Sequence, residues 1–324
     1  MKTSALIAGV LGLALAVFVL VKSDIAEIMG AFASLGQPGF AWVCCFYLLP
    51  VLACALAMQA LVEAPRVTLH SLFWSRMCRN AGSELLVFFP MVGEILAVRV
   101  LALLGMTTSA ATALVVVDVT MELLAQILFS VIGLAFAVSV LNDTLLYWCA
   151  GGLALLTILA LAFIAAQHKN VFTLLDTCVS KLAPNLPISS AGMGRTIHGR
   201  LRALWGDRAR LYWSIALHLG GWILGAAEAW LALALMGLHP SLISILALES
   251  LVFAVRSVAF VVPSALGVQE GAYVALAAAF GFAPETMLAV SLIKRGRSIV
   301  LGAPCLIGWQ IVEARRMRRK AKKK

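Results

Sequence analysis

Seven of the fifteen acidic residues in this chain lie within apolar segments: Glu84, Glu94, Asp118, Glu122, Glu228, Glu249 and Glu270. Arg99, Arg256, Lys294, Arg295 and Arg297 sit in similar sequence. A charge in lipid costs about 2.5–3.5 kcal/mol on the insertion scale, so such groups turn towards a cavity, a ligand or one another. Arginine and lysine can grip a phosphate, and carboxylates can accept hydrogen bonds from hydroxyls or pair with an amine. A carboxylate in apolar surroundings can also carry a proton. The residue types alone do not choose between these roles. Ion pairs that lock helices together account for any single charge, but a dozen exceed what locking needs. The expectation is a hydrated cleft lined by Glu94, Arg99, Asp118, Glu122, Glu249, Arg256, Glu270, Lys294 and Arg295.

Helix breakers stand beside these charges. Pro90, Gly93 and Glu94 interrupt one apolar run, and Pro263, Gly267, Glu270 and Gly271 interrupt another. Broken backbone at membrane depth is tolerated only where protein or water surrounds it. Pro90, Gly93, Pro263, Gly267 and Gly271 are therefore the expected hinge or re-entrant positions. Their occurrence once in each half points to an internal repeat with a midplane site, as in transporters built from discontinuous helices.

The elements that hold such groups must be membrane helices. The chain has 324 residues, 62% hydrophobic and 12% charged, where a soluble domain is nearer half apolar and a quarter charged. The fold class is all-α: a polytopic helical membrane protein with about eight transmembrane helices and one or two re-entrant or broken ones. No segment has the dyad alternation of an outer-membrane barrel. The seven cysteines lie mostly in apolar runs without Cys-x-x-Cys spacing and the five histidines are scattered, so no disulfide framework, metal site or cofactor is expected. No metal-ligand cluster, serine–histidine pair or aspartate-rich phosphotransferase motif marks an enzyme, and no nucleotide-binding loop is present.

Taken in order, residues 4–21 read as a first span starting inside, and 22–39 as a short outer loop. Residues 40–61 form a second span, and 62–83 a basic cytoplasmic loop suited to the membrane surface. Segment 84–104 is expected to dip and return, because a full crossing there would push the basic region 167–212 outside, against the positive-inside rule. Residues 110–140 carry Asp118, Glu122 and Gln126 at i, i+4 and i+8, one stripe that must face the bundle interior. Further spans cover 145–166, 213–237, 242–262, 266–282 and 286–310. This divides the chain into a membrane half (1–166), a basic linker with an amphipathic helix (167–212), a second half (213–313) and a basic tail (314–324). Eight cations between Arg315 and Lys324, and seven between Lys169 and Arg210, place both termini in the cytoplasm against anionic lipid headgroups. Nucleic acid is the weaker reading of such a tail.

The run Pro263-Ser-Ala-Leu-Gly267-Val-Gln-Glu270-Gly271, the Phe280-Gly-Phe-Ala-Pro284 turn and Lys294-Arg295 resemble the C-terminal signature of flippase-like membrane proteins related to the lysylphosphatidylglycerol synthetase transmembrane region. Pro90, Gly93, Glu94 and Arg99 resemble that superfamily's first-half motif, and the hopanoid-biosynthesis-associated branch is the most similar. The chain departs from the pattern at Val92, Ser264 and Ala265, where glycines are usual. The synthetase's soluble aminoacyl-transfer domain is absent, so lipid aminoacylation is not implied. The resemblance implies a lipid translocase or transport component of the bacterial inner membrane, with a polar-headed lipid such as a hopanoid as ligand. An intramembrane enzyme, or a scaffold docked to lipid-synthesis partner proteins, is the alternative.

Overall fold

The computed structural model describes residues 25–62, 67–86, 91–168, 193–258, 262 and 265–321. Ten α-helices account for almost all of them: α1 (Ile25–Ala60), α2 (Leu69–Leu85), α3 (Val92–Leu103), α4 (Thr108–Ala137), α5 (Asp143–His168), α6 (Met193–Gly206), α7 (Arg208–Leu235), α8 (Leu242–Val258), α9 (Val268–Ala277) and α10 (Pro284–Ala321). No strand occurs among the described residues. The expected span 4–21, Pro90, Pro263 and linker residues 169–192 lie outside them.

Four segments are long and apolar enough to cross a bilayer: Ala33–Ala60, Thr108–Ala137, Asp143–Gln167 and Arg208–Leu235. This is the expected all-α membrane architecture; the four are counted among the described residues, which leave out the expected span 4–21. The expected span 286–310 lies within the 38-residue α10, which is long enough to cross; the other elements are shorter. At 1.5 Å per residue, the 17 residues of α2 and of α8 reach about 25 Å, and the 12 of α3 and 10 of α9 reach less than 20 Å. Over the described residues, each is shorter than a hydrocarbon core of about 30 Å. The 266–282 crossing resolves into α9 and a 3₁₀ turn, Ala278–Phe280. The 22–39 loop is also corrected: α1 begins at Ile25 and breaks at Gly36, whose φ of 64° only glycine adopts readily.

The largest correction concerns 62–83. This basic stretch is not a surface loop. Its helix α2 buries Leu72, Ser75, Arg76, Cys78 and Arg79 inside the bundle. Carboxylates on α3 and α4 neutralise both arginines, which makes the burial tolerable. Short helices α2 and α3 pack tightly on each other. A Cβ at Gly93 would stand 2.5 Å from the Arg79 carbonyl oxygen, so the two backbones touch there.

The repeat is visible in the order and packing of elements. Helices α1–α4 and α7–α10 run as long, 17-residue, short and long. A positive-φ residue precedes each short helix, Met91 before α3 and Gly267 before α9. Contacts correspond as well: α2 packs on α10 as α8 packs on α4, α1 on α10 as α7 on α4, and α1 and α7 lie against each other. Helices α5 and α6 are additions outside this correspondence. Helix α6 is amphipathic, but its apolar stripe is covered by protein: Ile197 and Leu201 pack into the apolar core formed by the first half and α7. A second core, around Leu233, Leu248, Tyr273 and Met287, belongs mainly to the other half. The charged layer lies between the two.

Candidate functional site

A cavity of about 700 Å³ opens in this layer, lined by residues of both halves. Two ion-pair networks form its banks.

The first bank belongs to α2, α3, α4 and α7. Arg76 donates to Asp118 Oδ2 at 3.2 Å and to Glu122. Arg79 donates to Glu122 Oε2 at 2.6 Å and, from Nε and Nη2, to Glu94 Oε1 at 3.2 Å. His218 Nε2 lies 3.0 Å from Asp118 Oδ1. The Asp118–Glu122–Gln126 stripe does turn inward. Asp118 is fully buried, and Gln126 bonds Ser257 and the Phe253 carbonyl across to α8.

The second bank belongs to α8, α9 and α10, with α2 and α7 contributing one carboxylate each. Lys294 Nζ reaches Glu249 Oε2 at 2.5 Å and the Tyr273 hydroxyl at 3.1 Å, and that hydroxyl also bonds Glu249. Arg295 grips Glu270 through Nε at 2.5 Å and Nη2 at 3.3 Å. Glu270 Oε2 also accepts from the Gly267 N–H at 2.8 Å, which fixes the start of α9. Arg256 donates to Glu84 Oε1 at 2.7 Å, joining the two halves. Arg297 and Glu228 approach to 3.0 Å as a close ion pair rather than an aligned hydrogen bond, and the guanidinium stacks 3.6 Å from the Tyr47 ring centroid.

The two banks answer each other residue for residue. Arg76 is the eighth residue of α2 and Glu249 the eighth of α8. Their partners, Asp118 and Lys294, are each the eleventh residue of α4 and α10. Glu94 and Glu270 are each the third residue of α3 and α9. One ion pair thus occurs twice, with its sign reversed: cation on α2 and anion on α4, then anion on α8 and cation on α10.

Of the residues expected to line a cleft, Glu94, Glu122, Arg256, Lys294 and Arg295 border the cavity, with Asp118, Glu249 and Glu270 directly behind as their partners. Arg99 does not join them. It points away on α3 and pairs with Glu313 near the end of α10. Gly93 is the tight α2–α3 contact, Gly267 precedes α9, and Gly271 lies inside that helix, away from any break. Sequence reasoning missed Arg76, Arg79, His218, Tyr273 and Cys54. Arg76 and Arg79 lie three apart among Leu72, Phe73 and Met77. That spacing also fits a surface helix, and the carboxylates that decide the matter are more than 40 residues away on α4.

Both signs of charge, fully paired and bordering water-accessible space, can release a cation or a carboxylate to an incoming polar group by exchanging partners. No curated protein and no solved structure matches this chain. Residues 6–305 match the family described as the lysylphosphatidylglycerol synthase TM region, and the chain belongs to that family.

Proposed function

We propose that the chain is a lipid translocase, or a transport component, of a bacterial inner membrane, with the cavity between its halves taking the polar headgroup while the tails stay in the bilayer. The family ties the chain to a membrane, lipid-related function. The observation that carries the finer reading is the cavity itself: about 700 Å³, within the usual range for a small-molecule site, bounded by repeated halves and by charges of both signs. Repeat-built bundles with broken helices at a midplane site are a recurring transporter plan. Arg256 and Arg295 supply donors for a phosphate or carboxylate. Glu94 and Glu122 supply acceptors for hydroxyls or an ammonium. An ion gradient, a partner or the lipid gradient itself would supply the energy.

The test is lipid translocation in proteoliposomes, with phospholipids of differing headgroup and a hopanoid offered separately. Wild type moves at least one of them. Glu270→Gln and Arg256→Ala lower the rate at least tenfold while remaining folded, and Arg99→Gln keeps it. If no lipid moves under any gradient, the reading fails, and an intramembrane enzyme or scaffold of lipid synthesis takes its place. A modified lipid in cells lacking the protein would then identify the enzyme.

A further inference from the structure

Three potential metal ligands meet on the cavity wall, one from each of α1, α4 and α7. Cys54, Glu122 and His218 each present a ligand-type atom within 4.8 Å of the other two. All three border the cavity. His218 is fully buried and has Nε2 on Asp118. Its Nδ1 is buried too and has no hydrogen-bond partner. A neutral imidazole that donates from Nε2 to a carboxylate carries a lone pair on Nδ1, and a charged one frees that nitrogen by giving up its proton as metal binds. An aspartate holding the far nitrogen is also what orients metal-binding histidines and raises their basicity.

We infer that Cys54 Sγ, His218 Nδ1 and a Glu122 oxygen form a site for a divalent transition metal of the zinc class, with its fourth position open to the cavity. Thiolate, imidazole and carboxylate together are a donor set zinc accepts, and three protein ligands with one open place is its usual non-structural arrangement. A thiolate ligand disfavours magnesium and calcium. The atoms need to close to the roughly 3.5 Å separation of tetrahedral ligands.

Two guanidiniums stand beside Glu122 and act against a cation there. They face three carboxylates, Glu94, Asp118 and Glu122, so with His218 neutral, as a ligand must be, the cluster holds one surplus negative charge. Loss of the Cys54 proton on binding adds a second, and a divalent ion neutralises both. The inference is independent of lipid translocation.

Alkylation of the full-length protein tests it without any variant. Peptide mass spectrometry would follow the reaction of N-ethylmaleimide with Cys54, using Cys45, which lies outside the site, as internal reference. Zinc is expected to slow the Cys54 reaction at least tenfold and leave Cys45 unchanged. Cobalt(II) titration decides independently of reagent access. Wild type should bind one ion per chain with a thiolate-to-cobalt charge-transfer band. Cys54→Ser should lose that band, and His218→Gln should weaken binding at least tenfold. Equal Cys54 rates with and without zinc where the thiol is reactive, no cobalt binding, or a band that persists in Cys54→Ser overturns the site.

Discussion

Glu249 and Lys294 show what a single buried charge requires. Glu249 is wholly enclosed, and its carboxylate has Lys294 and Tyr273 as partners. Removing one member of such a pair leaves the other buried and uncompensated, at a cost of about 3–5 kcal/mol. Glu249→Gln and Lys294→Met should each lower the unfolding midpoint in detergent sharply. Exchanging the two, Glu249→Lys with Lys294→Glu, should recover much of that loss, because the pair is restored in the same place. If the double variant is as unstable as the sum of the singles, the pairing is not what holds these helices. The pair of the half-exposed Arg99 with Glu313 is the contrast. Exposed pairs contribute about 0–1 kcal/mol, so Arg99→Gln should leave the midpoint within that margin.

At the scale of the element, the contact between α2 and α3 decides how the first bank is held. A side chain at position 93 would meet Ser83 Oγ at 2.1 Å and the Arg79 carbonyl oxygen at 2.5 Å. Gly93→Ala therefore forces the helices apart and displaces Arg79 from Glu94. The expected cost is at least the 1–3 kcal/mol typical of overpacking, read as a lower unfolding midpoint. Ser83→Ala should restore only part of it, since the backbone oxygen remains. Much of this was legible in the chain. Glycine and glutamate beside a break, and the i, i+4, i+8 stripe of Asp118, Glu122 and Gln126, both point inward on spacing alone. Helix α2 was not legible, because its polar composition is the same whether the arginines meet water or distant carboxylates. The placement of Arg99 failed for a related reason: it is five residues from Glu94, on another side of α3, and its partner lies 214 residues away.

At the scale of the whole molecule, the membrane class followed from composition and the repeat from paired interruptions. The division of the second half into short elements was less legible, because the apolar run 266–282 reads as one span and is in fact α9 followed by a 3₁₀ turn. The relation between the halves was hidden for a further reason. At the paired positions Arg76/Glu249 and Asp118/Lys294 the halves carry opposite charge, so they look unlike there when their letters are compared, although their helices pack alike.

That reversal has a consequence for how the halves recognise each other. If each half carried the same arrangement of charge, two copies of one half could assemble in place of the native pair. Here the long helices α1 and α7 adjoin, and Glu84 of the first half meets Arg256 of the second. Two copies of the first half would put Glu84 opposite Ser83, the residue standing where α8 has Arg256 in the helix-by-helix correspondence. Two copies of the second half would put Arg256 opposite Ser257, the residue standing where α2 has Glu84. Fragments divided between residues 169 and 192 and made together should therefore co-purify as an unlike pair. Each made alone should fail to form a stable like pair. Complementation of separately tagged fragments would measure this directly, and stable like pairs would show that apolar packing alone is enough to join them.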